Sequence, residues 1–143
     1  MLYDILFLAH IISALAIIVI LVSMKLTAVA LVRQQGEKVR LPHGTNWAAR
    51  LLHLLPLTGF ATAWASYSQR EPISLDQPWI AVGIVTYLLA AALLEMIVLP
   101  AEQELVADGT VVATAKKMSG ALDGVMSMIV IATIAMLFQF GSN

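Results

Sequence analysis

The chain contains no cysteine. Disulfide frameworks, thiolate metal sites, iron–sulfur clusters and cysteine nucleophiles are excluded with it. Charge is scarce as well. Asp, Glu, Lys and Arg make up 12% of the 143 residues, where a soluble domain carries about a quarter. No basic excess exists, since the net charge is -1. That excludes the positive field a polyanion needs, and so a nucleic-acid partner. No GxSxG, phosphate-binding glycine loop or HExxH occurs, which weighs against an enzyme and against a helical zinc site. What the chain does have is apolar residues, 60% of the total.

Those residues fall into four long segments, about 3–33, 47–68, 78–100 and 113–140. A bilayer-spanning helix needs about 20 apolar residues, because the hydrocarbon core is about 30 Å thick. All four meet that length. None alternates in polarity, so a closed barrel is not indicated. The first segment has no basic residue before it and no convincing cleavage site, so it reads as a retained helix rather than a signal peptide. Gly36, Pro42 and Gly44 punctuate the first connection, Pro72 and Pro78 the second, and Pro100 with Asp108-Gly109 the third. Connections this short place successive helices side by side in opposite directions. The expected fold is all-α: one domain over 1–143, an antiparallel up-down bundle of four transmembrane helices.

Basic residues orient it. Lys25, Arg33, Lys38, Arg40 and Arg50 lie in or beside the first connection, and Lys116 and Lys117 close the third. Only Arg70 lies in the second. Basic loops stay in the cytoplasm, so both termini are expected on the outer side of a bacterial inner membrane. Tyr3, Tyr67, Trp79 and Phe140 then mark the outer interface and Trp47 the inner one.

Ionisable groups inside the helices are costly in hydrocarbon, and each is a site hypothesis by default. They are His10, Lys25, Arg50, His53, Glu95 and Asp123. Counting along the helices puts Glu95 roughly 7 Å, Asp123 roughly 9 Å and Lys25 roughly 12 Å from the cytoplasmic ends. Two bases balance two acids, so Lys25, Arg50, Glu95 and Asp123 are expected to form one buried ion network across all four helices. A proton path would need a polar continuation outward. Thr58, Thr62, Ser127 and Thr133 are the modest candidates. Gly120 and Gly124, with Ser127 following, form a small-residue face for close helix approach. Asp123 flanks that face and should point into the bundle or into a partner.

His10 stands apart, roughly 10 Å below the outer surface. Ser13, Ala14 and Ala16 leave room beside its ring. A neutral imidazole in an apolar bundle can be an axial haem ligand, or simply a packed histidine bonded to a neighbouring oxygen. His53 is the less favourable second ligand, because it counts to the opposite end. Among the methionines of the last helix, Met136 lies nearest the outer side. His43 reads as an exposed turn residue.

The stretches ILFLAHIISALA, LPLTGFATAW, YLLAAALLEMIVLPAEQEL and AKKMSGALDG span the whole chain. In this order they resemble a family of small bacterial four-helix integral membrane proteins of unassigned function. HemJ-type protoporphyrinogen oxidases and CopD-type membrane domains are looser relatives. The resemblance implies a four-helix membrane fold and carries over one residue, His10, as a ligand of haem b.

Three functions follow as expectations. The first is an accessory or assembly subunit of a bacterial membrane complex of respiratory type, with lipid and other membrane subunits, or a second copy, as partners. The second is a haem-b protein in electron transfer or porphyrinogen oxidation. The third is a small ion or proton transporter using Glu95 and Asp123.

Overall fold

A computed structural model of the chain describes residues 2–33, 47–66, 77–108 and 112–140, and all of them except Gln77 are helical. Residues 34–46, 67–76 and 109–111 lie outside the described residues. With them go Lys38, Arg40, His43, Tyr67 and Arg70 of the reading above.

Helix α1 (Leu2–Arg33) is apolar on every side. Its buried residues are Ile17, Leu21, Met24, Ala28 and Leu31. Their spacing alternates four and three, which is the seam of a left-handed helix pair. On α5 (Val112–Phe140), Ala115, Met118, Leu122 and Val125 repeat that spacing and are buried as well. The two helices pack together, and α1 also carries the second helical segment. The buried residues of α1 run from its midpoint at Ile17 toward its C-terminal end, and those of α5 lie in its first half. The core therefore sits at the end that carries Arg33, Lys116 and Lys117. Toward the other end Leu8, Ile12 and Leu15 of α1, and Ile131, Ile134 and Leu137 of α5, are exposed.

The second segment is not one α-helix. Trp47–His53 is a 3-10 helix, and α2 (Leu54–Ser66) follows it. Pro56 sits in the first turn of α2, where its missing N–H is not needed. At about 2.0 and 1.5 Å per residue, these seven and thirteen residues reach roughly 33 Å. An α-helix of the same residues would be about 30 Å long.

The third segment starts at Pro78, one residue after the N-cap Gln77, and runs as α3 (Pro78–Leu93). From the proline, the sequence reading ends this helix near Pro100. Instead the chain passes through one π turn, Leu94–Val98, and continues as α4 (Leu99–Asp108). The reason is local. Pro100 offers no N–H to the Met96 carbonyl, and in an α-turn its ring would strike that carbonyl. The wider π turn just before it makes room, with the Leu99 N–H bonded to the Leu94 carbonyl.

Helix α5 packs most extensively on α3. A Cβ built at Gly124 would lie 2.8 Å from Leu93 Cδ1, and one built at Gly83 would lie 3.9 Å from the Met136 methyl. These contacts run in opposite order along the two helices. Among the described residues, three helices are long and apolar enough to cross a membrane: Leu2–Arg33, Pro78–Ala107 and Val112–Phe138. Within the most apolar stretch of α1, only 11% of the residues are buried by the rest of the chain.

Leu122→Ala should cost about 2–5 kcal/mol, since Leu122 is fully enclosed in the α1–α5 seam. Ile131→Ala, on the exposed continuation of the same helix, should change little. Unfolding in detergent micelles compares the two.

Candidate functional site

The seam of α1 brings the 3-10 segment, the π turn and the first half of α5 to one end of the molecule. The ionisable side chains meet there, but as two groups rather than one network. No described hydrogen bond or ion pair joins them.

The first group links α1 to α5. Lys25 Nζ donates to the Ser119 carbonyl at 3.0 Å, to Ser119 Oγ at 2.7 Å and to Asp123 Oδ2 at 2.6 Å. An ammonium has three N–H donors, and all three are used. Ser119 and Asp123 are four residues apart on α5, so one helix face presents both. The pair is not buried as expected. The side chain of Lys25 is 22% exposed and that of Asp123 is 63% exposed. Asp123 turns outward because its position lies beyond the two contact faces of α5, while the long lysine reaches it from beneath.

The second group links the 3-10 segment to α3 and the π turn. Arg50 Nε and Nη2 donate to the two oxygens of Glu95 at 3.1 and 3.3 Å, a bidentate pair. His53 Nε2 lies 3.2 Å from Glu95 Oε1, and His53 Nδ1 lies 2.9 Å from the Tyr87 hydroxyl. Each of the two charged side chains is about one third exposed. Residues three apart eclipse in a 3-10 helix. Trp47, Arg50 and His53 therefore form one column, with the Arg50 guanidinium carbon 4.5 Å from the Trp47 ring centroid. Opposite that column, Tyr87 and Glu95 are eight residues apart, about two turns, and share a face.

The two histidines differ in what their rings can still do. Glu95 only accepts, so neutral His53 carries its proton on Nε2 and its Nδ1 lone pair takes the Tyr87 hydroxyl. No lone pair is left for iron. His10 Nδ1 lies 2.8 Å from Thr58 Oγ1. Thr58 gives its own proton back to its helix, at Leu54 O, 2.8 Å, and Leu55 O, 3.2 Å. Its oxygen thus accepts from His10 Nδ1–H. The ring also bonds to the Leu55 backbone, and with the proton on Nδ1 the Nε2 nitrogen carries the lone pair. Gly59 lies against the ring, a built Cβ being 3.4 Å from Cε1. Met136 does not approach this ring from the far side; its methyl lies against Gly83 of α3.

The small-residue face also divides. Gly124 is the point of close approach to Leu93, whereas nothing lies within 4 Å of a Cβ at Gly120. Gly120, Asp123 and Ser127 share an exposed stripe. Each hydroxyl considered for a polar path is bonded within its own helix: Thr58 as above, Thr62 to Thr58 O, Ser127 to Asp123 O and Thr133 to Ile129 O. Among the described residues no three of His, Asp and Glu gather as a metal site.

Sequence reasoning missed Tyr87 and Ser119, which are neutral and drew no attention as costly groups, and it considered Thr58 for a polar path but not as the partner of His10. It also missed Glu102. That carboxylate reads as part of a connection beyond Pro100, yet it is 3% exposed on α4, beside the core. Tracing the faces of Glu95 and Asp123 two turns and one turn back would have found Tyr87 and Ser119.

Comparison with protein-family models, curated proteins and solved structures finds no match for the chain.

Asp123→Asn should lower stability modestly, within about 1 kcal/mol for a pair this exposed. Exchanging the charges, Lys25→Asp with Asp123→Lys, should recover part of that loss, as a double-mutant cycle on unfolding in micelles would show.

Proposed function

We propose that the protein is a multi-pass integral membrane protein of four helices arranged up and down. Its basic end faces the cytoplasm and both termini face outward, in a bacterial inner membrane. In this reading it is a non-catalytic accessory or assembly subunit of a membrane complex of respiratory type.

One observation carries the proposal. The internal polar groups are spent on tying helices together. Lys25 joins α1 to α5, and Arg50 and His53 join the second segment to α3 and the π turn. Hydroxyls that could extend a path bend back to their own carbonyls. That leaves a scaffold with little machinery for transport. The exposed stripe of Gly120, Asp123 and Ser127 supports a subunit role, because small residues let another helix come close and a carboxylate facing hydrocarbon is costly.

The protein should resist carbonate extraction from membranes, and mild solubilisation of native membranes should bring a partner with it. Gly120→Leu should release that partner without unfolding the chain. A carbonate-soluble protein refutes the membrane reading. A carbonate-resistant protein that migrates alone refutes the subunit reading.

A second reading is favoured by His10 and by the resemblance to HemJ-type proteins. The ring is oriented by an Nδ1–H bond to Thr58, and Nε2 is left with its lone pair. An outer-shell partner of this kind orients an axial histidine and raises its basicity. His10 would hold the iron of haem b, which supplies one-electron chemistry when bound. Purified protein from haem-supplied cells should then show a Soret band that His10→Ala abolishes and Thr58→Val shifts. A colourless preparation overturns this reading.

A further inference from the structure

We propose that Trp47 and Arg50 form a binding site for the phosphate of an anionic membrane lipid at the basic end of the molecule. The site rests on the reading of the chain as a membrane protein.

The argument begins with donors. A guanidinium carries five N–H groups. Arg50 uses two on Glu95, through Nε and Nη2. Its other three have no acceptor among the described residues. Trp47 presents its indole N–H in the same way and is 71% exposed. The bidentate pair takes the Nε and Nη2 edge of the guanidinium, so Nη1 lies on the edge away from Glu95. What remains open is rich in donors and short of acceptors, and the matching ligand is an anion with several oxygens. A phosphate fits the fork that stays open at the end of the guanidinium, between Nη1 and Nη2.

Geometry makes the donors converge. In an α-helix, residues 47, 50 and 53 would fan across the surface. In the 3-10 helix they eclipse, so Trp47 stacks beneath the guanidinium at 4.5 Å. The ring holds the planar group flat, and Glu95 holds its other edge. Both restraints remove side-chain freedom before any ligand arrives, which lowers the entropic cost of binding.

Position selects the ligand's source. Tryptophan and arginine beside a basic connection mark the headgroup level of the cytoplasmic leaflet, where anionic lipids concentrate. The wall below the headgroup is apolar and exposed: Leu54 and Leu57 follow the column on the same segment. A free phosphate would use only the donors, whereas a lipid would also use that wall.

The test is native mass spectrometry of the full chain released from micelles holding equal amounts of phosphatidylglycerol and phosphatidylcholine. Wild type should retain phosphatidylglycerol about tenfold over phosphatidylcholine, the size of one charge-assisted contact. Arg50→Gln should erase the preference. Trp47→Leu should weaken it while keeping the Arg50–Glu95 pair, which guards against a folding defect in the first variant. Glu95→Gln should weaken it less than Arg50→Gln does, because the guanidinium keeps its charge and loses only one of its two restraints. A structural ion pair alone would not behave so. Equal retention by wild type and Arg50→Gln overturns the site. Displacement of the lipid by millimolar inorganic phosphate overturns the lipid as the ligand. A protein that resists carbonate extraction yet ignores lipid charge sinks this proposal and leaves the membrane reading intact.

Discussion

The seam of Ile17, Leu21, Met24, Ala28 and Leu31 is the contact on which the other packing rests. It runs from the midpoint of α1 toward its C-terminal end and meets the matching face of α5, whose other side takes α3. The second segment also packs on α1. Because α1 is apolar all round, composition could have placed the contact anywhere along its length. The alternation of four and three decides where it is. A residue outside that pattern, such as Leu15 or Val19, stays exposed although it is as apolar as its buried neighbours.

With the seam in place, both departures from α-helical winding fall at one end and face each other. A proline stands just beyond each. Pro100 is relieved by a wide turn upstream, and Pro56 marks the first turn of α2 after a tight one. The wide turn carries Glu95 and the tight one carries Arg50 and His53. Winding that answers a steric demand has thereby set the rotation of the charged side chains, and an ion cluster occupies the place where two backbones are irregular. Such turns are frequent at functional positions.

Much of the candidate site was legible in the residues. A charge within an apolar run is conspicuous, and His10, Lys25, Arg50, His53, Glu95 and Asp123 could all be singled out. Their partners were harder to see. Charge balance suggested one network, but balance carries no angle, and Lys25 and Arg50 leave the bundle on different sides. Gly120 and Gly124 are separated by one turn, which looks like one face. A rotation of about 40° between residues four apart is enough to put Gly124 against Leu93 and leave Gly120 outside. Neutral partners such as Tyr87 and Ser119 carry no warning in the sequence at all.

The residue string by itself determined the helices, their apolar lengths and the two ends, one basic and one nearly uncharged. Those properties are sums over local stretches, and each stretch reports them without reference to the rest. Tertiary structure decided which histidine keeps a lone pair, which carboxylate faces outward, and that Glu102 is interior. These depend on the neighbour a side chain meets across helices, and so on helix rotation and on the winding of two short segments. Hydrogen bonding acts over about 3 Å, while rotating a helix by one residue, about 100°, moves a side chain by more than that. Local composition cannot resolve so small a distance; packing does.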